Sequence, residues 1–392
     1  MTGGPSRDET RGTIRERCVS DEVDSALDQP GEPRAEERLD PERLRPFLEA
    51  ALREDVGPLS VLQFPRGHSN LTYLVRMGAR EAVLRRPPFG VQVKTAHDMR
   101  REFTILSGLQ GVYSRAPKPI AFCDDESVIG ARFYLMERVR GVILRDEKPP
   151  AGVAFSPELL RATSTALVDN LAELHAVDLA KTGLGSIGRP SGYVERQVKG
   201  WSERYLKAQT DQIPALADAA AWLARNLPGE SGAALIHNDY KYDNVLLDPE
   251  DLTRIVAVLD WEMATVGDPL MDLGTLLGYW NDPDDPAEMR GRPYGPTFLP
   301  GSLSRVQVVE RYARQSGREL PSLLFHYVFA LFKLAVIVQQ IYKRFVDGHT
   351  RDPRFATLPQ WVLALAAQAE RALEKQRIHG LGTSPGSAGH GT

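Results

Sequence analysis

Hydrophobic positions along this chain follow two periods, and the switches between them mark its elements. Leu160, Leu167, Leu171 and Leu174 recur at spacings of seven, four and three, so they share one helical face. Ser156-Pro157-Glu158 supplies the start of that helix, which runs to about His175. Asp40-Pro41-Glu42 reads as N-cap, N1 and N2 of an earlier helix ending near Glu54. Residues 98–106 carry helical spacing and include Glu102. Period two appears elsewhere. In residues 81–86, Val83 and Arg85 fall on one face of a short strand, with Ala82 and Leu84 on the other. Residues 64–75 place a turn core, Gly67-His68-Ser69-Asn70, between strand-like flanks. Residues 131–139 read as another strand, and Val245-Leu246-Leu247 as a short one. Residues 254–260 are an apolar strand that ends in Asp260. Asp268-Pro269 then opens a helix with Asp272 in its first turn.

Residues 323–339 are nearly unbroken apolar sequence, but His326 and Lys333 interrupt them and Gln339-Gln340 closes them. The apolar pieces are too short for a bilayer core of about 30 Å, so a buried helix is expected. Residues 1–39 are rich in charge, Gly and Pro, and predict a disordered tail. Residues 376–392 predict a flexible, Gly/Ser-rich one.

Composition adds little and excludes something. The chain has 392 residues, 42% hydrophobic and 26% charged, which suits a soluble globular protein of two lobes. A net charge of −4 gives no reason to expect nucleic acid or an anionic membrane as partner. The two cysteines, Cys18 and Cys123, suggest neither a disulfide framework nor a thiolate metal site. The N-terminus lacks an apolar signal region and is too acidic for a transit peptide, so a cytoplasmic protein is expected.

The chemistry concentrates in His237-Asn238-Asp239-Tyr240-Lys241-Tyr242-Asp243-Asn244 and Asp260-Trp261-Glu262. H-x-D-x-x-x-x-N, an apolar run, then Asp is the spacing with which kinase-type phosphotransferases place one carboxylate at a substrate hydroxyl and two oxygens on magnesium. Asp239 is the candidate base, and Asn244 and Asp260 are the candidate Mg2+ ligands. Asn238 suits a position that needs a left-handed backbone. Upstream, Gly67, Ser69 and Asn70 could offer N–H and hydroxyl donors to nucleotide phosphates. Arg85 stands where V-A-I-K of protein kinases carries Lys, and it can bind phosphate and pair with Glu102.

These motifs resemble the aminoglycoside phosphotransferase and choline-kinase-like superfamily. Within it the chain is most similar to the bacterial phosphotransferase family and to the kinase-like domain fused to some acyl-CoA dehydrogenases. The likeness is carried by Gly67-His68-Ser69-Asn70, Val83-Leu84-Arg85-Arg86-Pro87-Pro88, Glu102, the strand to Glu137, the His237–Asn244 run, and residues 260–273. It covers roughly residues 40–375. It implies an α+β, protein-kinase-like bilobal fold. Residues 40–139 would form a small nucleotide-binding lobe with an antiparallel sheet plus helix. Residues 140–375 would form a larger, mainly helical catalytic and acceptor-binding lobe. It further implies ATP as cofactor, His237 and Asp272 as supports of the catalytic loop, and Glu137 and Val139 at an adenine-binding hinge.

Asp260 is followed within eight residues by Asp268-Pro269, and no A-P-E occurs, so there is no room for a peptide-docking activation segment. The expected acceptor is a small-molecule hydroxyl. Residues 281–288 are acidic and could attract a polycationic aminoglycoside, although such a loop is usually just solvated. The dehydrogenase-fused relatives imply a hydroxylated acyl or other metabolite instead. Gln197, Trp201 and Tyr205 share a helical stripe that reads as core before it reads as pocket. A nucleotide-binding pseudokinase is the alternative; the intact Asp239, Asn244 and Asp260 oppose it.

Overall fold

The computed structural model describes residues 29–65, 70–89, 98–348 and 353–382. In chain order they form helix α1 (Pro41–Leu52), strands β1 (Leu59–Gln63), β2 (Leu71–Met77) and β3 (Arg80–Arg86), helix α2 (Met99–Leu109), and strands β4 (Pro119–Cys123) and β5 (Phe133–Glu137). Helices α3 (Pro157–His175), α4 (Leu179–Thr182), α5 (Tyr193–Ala208) and α6 (Pro214–Arg225) follow. Strands β6 (Ala234–Ile236), β7 (Val245–Leu247), β8 (Ile255–Val258) and β9 (Thr265–Gly267) come next. Helices α7 (Pro269–Tyr279), α8 (Ala287–Arg290), α9 (Arg305–Ser316), α10 (Leu324–Val346) and α11 (Leu358–Lys375) complete the chain. They divide into two compact units.

The first unit holds the described residues through Leu144, a short stretch at 148–155, and residues 245–262. Its antiparallel sheet has the order β1-β2-β3-β5-β4. Tyr73 and Val75 of β2 stand opposite Leu84 and Ala82 of β3, and Leu84 stands opposite Leu135 of β5. These side chains share one core with Leu44 and Leu48 of α1. Val83 and Arg85 therefore take the other face, as strand alternation requires. On that face Phe103 of α2 meets Tyr134, the residue paired with Arg85, at a ring separation of 6.2 Å.

The β7–β8 hairpin belongs to this unit although the sequence reading gave it to the larger lobe. Non-local pairing decides the matter. Val142 bridges Leu247, and the Val258 N–H donates to the Arg115 carbonyl at 2.8 Å. Gly141 makes the approach possible, since a Cβ there would sit 2.8 Å from the Leu247 carbonyl oxygen. Residues 29–39, expected in the disordered tail, are also packed here. Gly31 pairs with Gln63, the Tyr73 hydroxyl donates to the Glu37 carbonyl at 2.7 Å, and Leu39 is in the core.

The second unit is mainly helical. The predicted caps form: the Ser156 side chain accepts from the Leu159 N–H, and Asp268 accepts from Leu270. α10 runs unbroken for 23 residues. It is thus long and apolar enough to cross a membrane, contrary to the expectation of short pieces, but most of it is buried within this unit. Gly274 and Gly278 let α7 approach it closely. A Cβ on Gly274 would lie 2.7 Å from the His326 carbonyl oxygen, and one on Gly278 would lie 2.8 Å from the Ala330 Cβ. Residues 376–382, expected to be loose, pack as well: Leu381 is fully buried and the Ile378 carbonyl accepts from Arg305 at 2.6 Å.

His326 sits in that helix contact with Nδ1 unpartnered, and burial pushes its pKa down from 6.5 to about 4 against the field of Asp268. Above pH 6.5 the imidazole is neutral whether the chain is folded or not. As pH falls from 6.5 to 4, the unfolded chain takes up a proton that the folded one refuses, so stability is lost in that window. At about 1.4 kcal/mol per pH unit the loss approaches roughly 3 kcal/mol. Urea midpoints measured across this range should fall less steeply for His326→Leu than for the parent; parallel curves would mean the ionisation plays no part.

Candidate active site

In the second unit the catalytic-motif loop follows β6 and is held from below by Asp272 in the first turn of α7. The Asp272 carboxylate is fully buried and accepts from the His237 N–H at 2.6 Å and the Asn238 N–H at 2.7 Å. His175 Nε2 lies 3.1 Å from it, and the other ring nitrogen of His175 meets the Tyr312 hydroxyl at 2.7 Å. Burial works against the Asp272 charge, but His175, His237 and these bonds bring its pKa below the usual carboxylate value. His237 is fully buried, and its Nδ1 accepts the Asp239 N–H at 3.2 Å. Asn238 does adopt the left-handed conformation, with φ 65°. Its side chain bridges the Tyr193 hydroxyl (3.1 Å) and the Met263 carbonyl (3.0 Å).

Asp239 is surrounded by donors. Lys241 Nζ reaches Oδ2 at 2.6 Å, Asn244 Nδ2 reaches the same oxygen at 2.8 Å, and the Tyr279 hydroxyl reaches Oδ1 at 2.5 Å. Burial would raise the Asp239 pKa, yet Lys241 and Tyr279 hold it below the usual carboxylate range, so the group is ionised at neutral pH. Asn244 Nδ2 also donates to the Asp239 carbonyl at 2.8 Å, which turns its amide oxygen away from the carboxylate. An oxygen of that kind is a fitting hard ligand.

In the first unit, Arg85 of β3 lies between two carboxylates. Its Nη1 is 3.1 Å from Glu102 Oε1 on α2, and its Nη2 is 2.9 Å from Asp260 Oδ1. The Arg85 and Glu102 side chains are 8% and 1% exposed, so this is no solvated arginine at a strand end. Burial opposes the Arg85 charge, but Glu102 and Asp260 carry its pKa well above the ordinary value. Glu102 is pushed up by burial, and Arg85 only partly offsets that. Asp260 has φ 66° and keeps its side chain 31% exposed, with Oδ1 engaged by Arg85. Arg86 takes the opposite face, donating to the Ile129 carbonyl at 3.0 Å and stacking over Phe89.

The guanidinium fork explains how Arg can stand in the Lys position: one side chain reaches both acids. Arg85→Ala is expected to cost about 3 kcal/mol or more of stability, because it strands a buried carboxylate. Arg85→Lys should recover charge but only one of the two contacts, and so fall between. Denaturant midpoints for the three proteins check this; equal values for Ala and Lys would remove the fork from the argument.

Other expected residues fall variously. Gly67 and Ser69 lie outside the described residues. Asn70 is buried, with its amide donating to Glu262 Oε2 at 2.7 Å. Glu137 has its N–H on the Lys118 carbonyl and its carboxylate on the Lys118 N–H, each at 2.8 Å. Val139 packs against an apolar group of Ile143, Leu246 and Ala257. Trp201 and Tyr205 are core, as expected. Within residues 281–288, Asp282 and Asp285 are turned inward, where they pair with the fully buried Arg305 and Gln368 donates to Asp285, while Asp284 and Glu288 are exposed.

The sequence reading missed Lys241, Tyr279 and the pairing of His175 with Asp272. Lys241 was in plain sight two residues beyond Asp239. Tyr279 stands seven residues beyond Asp272, two turns along the same face of α7, and that spacing could have found it.

An α+β chain with an antiparallel sheet, an Arg–Glu pair and a buttressed H-x-D-x-x-x-x-N loop has the form of a kinase-like phosphotransferase. Residues 60–306, more than half of the chain, match the model of the Phosphotransferase enzyme family, and the chain belongs to it. It is similar to acyl-CoA dehydrogenase family member 11 of Gallus gallus, with 36% identity over 364 residues, covering 88% of this chain and 45% of that protein. The chain thus spans less than half the length of that curated relative. Among solved structures, a "putative aminoglycoside phosphotransferase" from Ralstonia eutropha JMP134 superposes with a TM-score of 0.73 at 31% identity, covering 86% of this chain and 99% of that one. A thermostable mutant of aminoglycoside phosphotransferase APH(4)-Ia, in ternary complex with AMP-PNP and hygromycin B, shares the fold at 18% identity, with a TM-score of 0.54 over 84% of this chain and 98% of that one.

Proposed function

We propose that this enzyme transfers the γ-phosphoryl group of ATP, with Mg2+, to a hydroxyl of a small molecule. The observation that carries the reading is the Asp239 carboxylate, ionised and held by Lys241, Asn244 and Tyr279 on a loop clamped by Asp272. Phosphoryl transfer asks the protein chiefly for positioning and charge. Asp239 orients the acceptor hydroxyl and takes its proton as the oxygen–phosphorus bond forms and the bond to the ADP leaving oxygen breaks. Lys241, beside that carboxylate, places a positive charge where negative charge develops. Arg85, fixed by Glu102, is the cation for the nucleotide phosphates. Asn244 and Asp260 are the residues assigned to hold magnesium, which when bound would supply positive charge against that of the phosphates. Glu137 and Val139 are assigned to the adenine, whose apolar neighbours would include Leu246. The AMP-PNP complex of the APH(4)-Ia relative supports ATP as donor.

The acids at 282 and 285 count against a polycationic acceptor, since they are buried and engaged by Arg305 rather than presented to solvent. A hydroxylated metabolite fits better with the dehydrogenase-fused relative. The chain passes from Asp260 through β9 directly into α7, which counts against a peptide substrate. The test is incubation with ATP, magnesium and a metabolite extract, followed by mass spectrometry for a phosphorylated product. Absence of any product, together with absence of ATP hydrolysis, would favour a nucleotide-binding module instead.

A further inference from the structure

Lys333 is a buried ammonium in the middle of the apolar helix α10, where a charge is costly unless it is used. It is only 5% exposed. Its Nζ donates to the Asn238 carbonyl at 2.6 Å. That carbonyl and the Asp239 N–H belong to one peptide plane, and the N–H is taken by His237 Nδ1 at 3.2 Å. The preceding planes are held from the other direction by Asp272. A planar peptide fixed at both its polar groups has little freedom left, and the Cα of Asp239 is attached to it.

We propose that Lys333 is a positioning residue for phosphoryl transfer, fixing the 238–239 peptide so that the Asp239 carboxylate is presented to the acceptor. This rests on the reading of Asp239 as the group that serves the acceptor hydroxyl. The surroundings suit an ammonium that is needed but strained. From the loop it meets the fields of Asp239 and Lys241, from α7 that of Asp272, and from α5 that of Arg204, while the Trp201 ring lies 5.9 Å from Nζ. Thr275, Gly278 and Tyr279 of α7 line a small pocket with it. Burial lowers its pKa from 10.5 to about 8, against the pull of Asp239 and Asp272.

The sign of the pH effect separates this role from a merely structural one. A lysine whose folded pKa is depressed makes the fold more stable as pH rises from 8 to 10.5, because the folded chain sheds the proton first. The grip on the carbonyl weakens over the same range, since a neutral amine is a poorer donor than an ammonium. Turnover should therefore fall above about pH 8 while the melting temperature, corrected with Lys333→Met, rises.

The test uses the full chain, Lys333→Met and Lys333→Gln. Loss of the clamp should lower kcat roughly 10- to 100-fold, the scale of a misplaced reacting group, and leave the KM for ATP unchanged. It should also remove the fall above pH 8, and should speed hydrogen exchange at the Asp239 amide by about tenfold or more. A fall in kcat above pH 8 that persists in either folded variant overturns the proposal. So does unchanged exchange at that amide. If the parent itself phosphorylates nothing, the exchange measurement still decides whether Lys333 holds the peptide, independently of the assigned reaction.

Discussion

Asp239→Asn is expected to lower turnover by roughly 10²- to 10⁴-fold, the usual size of a lost general base. The amide oxygen can still accept from Lys241 and Asn244, and its NH2 can face the Tyr279 hydroxyl, which can rotate to accept. The fold and the nucleotide affinity should therefore survive. What disappears is the negative charge that orients and deprotonates the acceptor. Steady-state kinetics with the identified acceptor, beside calorimetry with ATP, measures both quantities. Turnover within threefold of the parent would take Asp239 out of its assigned role.

Asp260→Ala should abolish magnesium-dependent nucleotide binding, because it removes the carboxylate assigned to hold the ion. Two structural effects accompany it. Arg85 keeps Glu102 but loses one acid, and alanine must adopt the φ of 66° that aspartate tolerates better. The second effect costs about 1 kcal/mol. Asp260→Asn keeps the shape and the backbone preference while removing the charge, so its affinity should be intermediate and its stability near that of the parent. Asn244→Ala should weaken binding less than Asp260→Ala, since it removes a neutral amide oxygen. Calorimetric titration with and without magnesium separates these outcomes; ATP·Mg binding unaltered in Asp260→Ala would show the metal assignment to be wrong.

Much of this was legible because the signals were local. Leu160, Leu167, Leu171 and Leu174 all point inward on α3, as their spacing demanded. Alternation on β3 put Arg85 and Arg86 on opposite faces, and the caps at Asp40, Ser156 and Asp268 depended only on the next few residues. Legibility ended where partners are distant. Nothing near Asp282 and Asp285 shows that Arg305 will bury them, so their stretch read as a solvated acidic loop. Lys333 read only as a break in an apolar run, because the carbonyl it serves is 95 positions away. Residues 29–39 have a tail-like composition, and it is Gln63 and Tyr73 that recruit them into the sheet's surroundings.

The hairpin at 245–262 also sets a timetable for synthesis. The first unit needs it to supply Asp260, the partner of Arg85, yet residues 156–244 of the second unit are made in between. At typical elongation rates of 5–20 residues per second, the sheet with its Arg–Glu pair must wait about 5 to 20 s for its last piece. Until then the emerging sheet has no hairpin to cover Val139 and Ile143. A ribosome stalled near residue 244 should therefore display a protease-sensitive first unit, and one stalled with the hairpin fully emerged a resistant one. For the same reason, a fragment that ends before the hairpin is a poor vehicle for studying nucleotide binding in isolation.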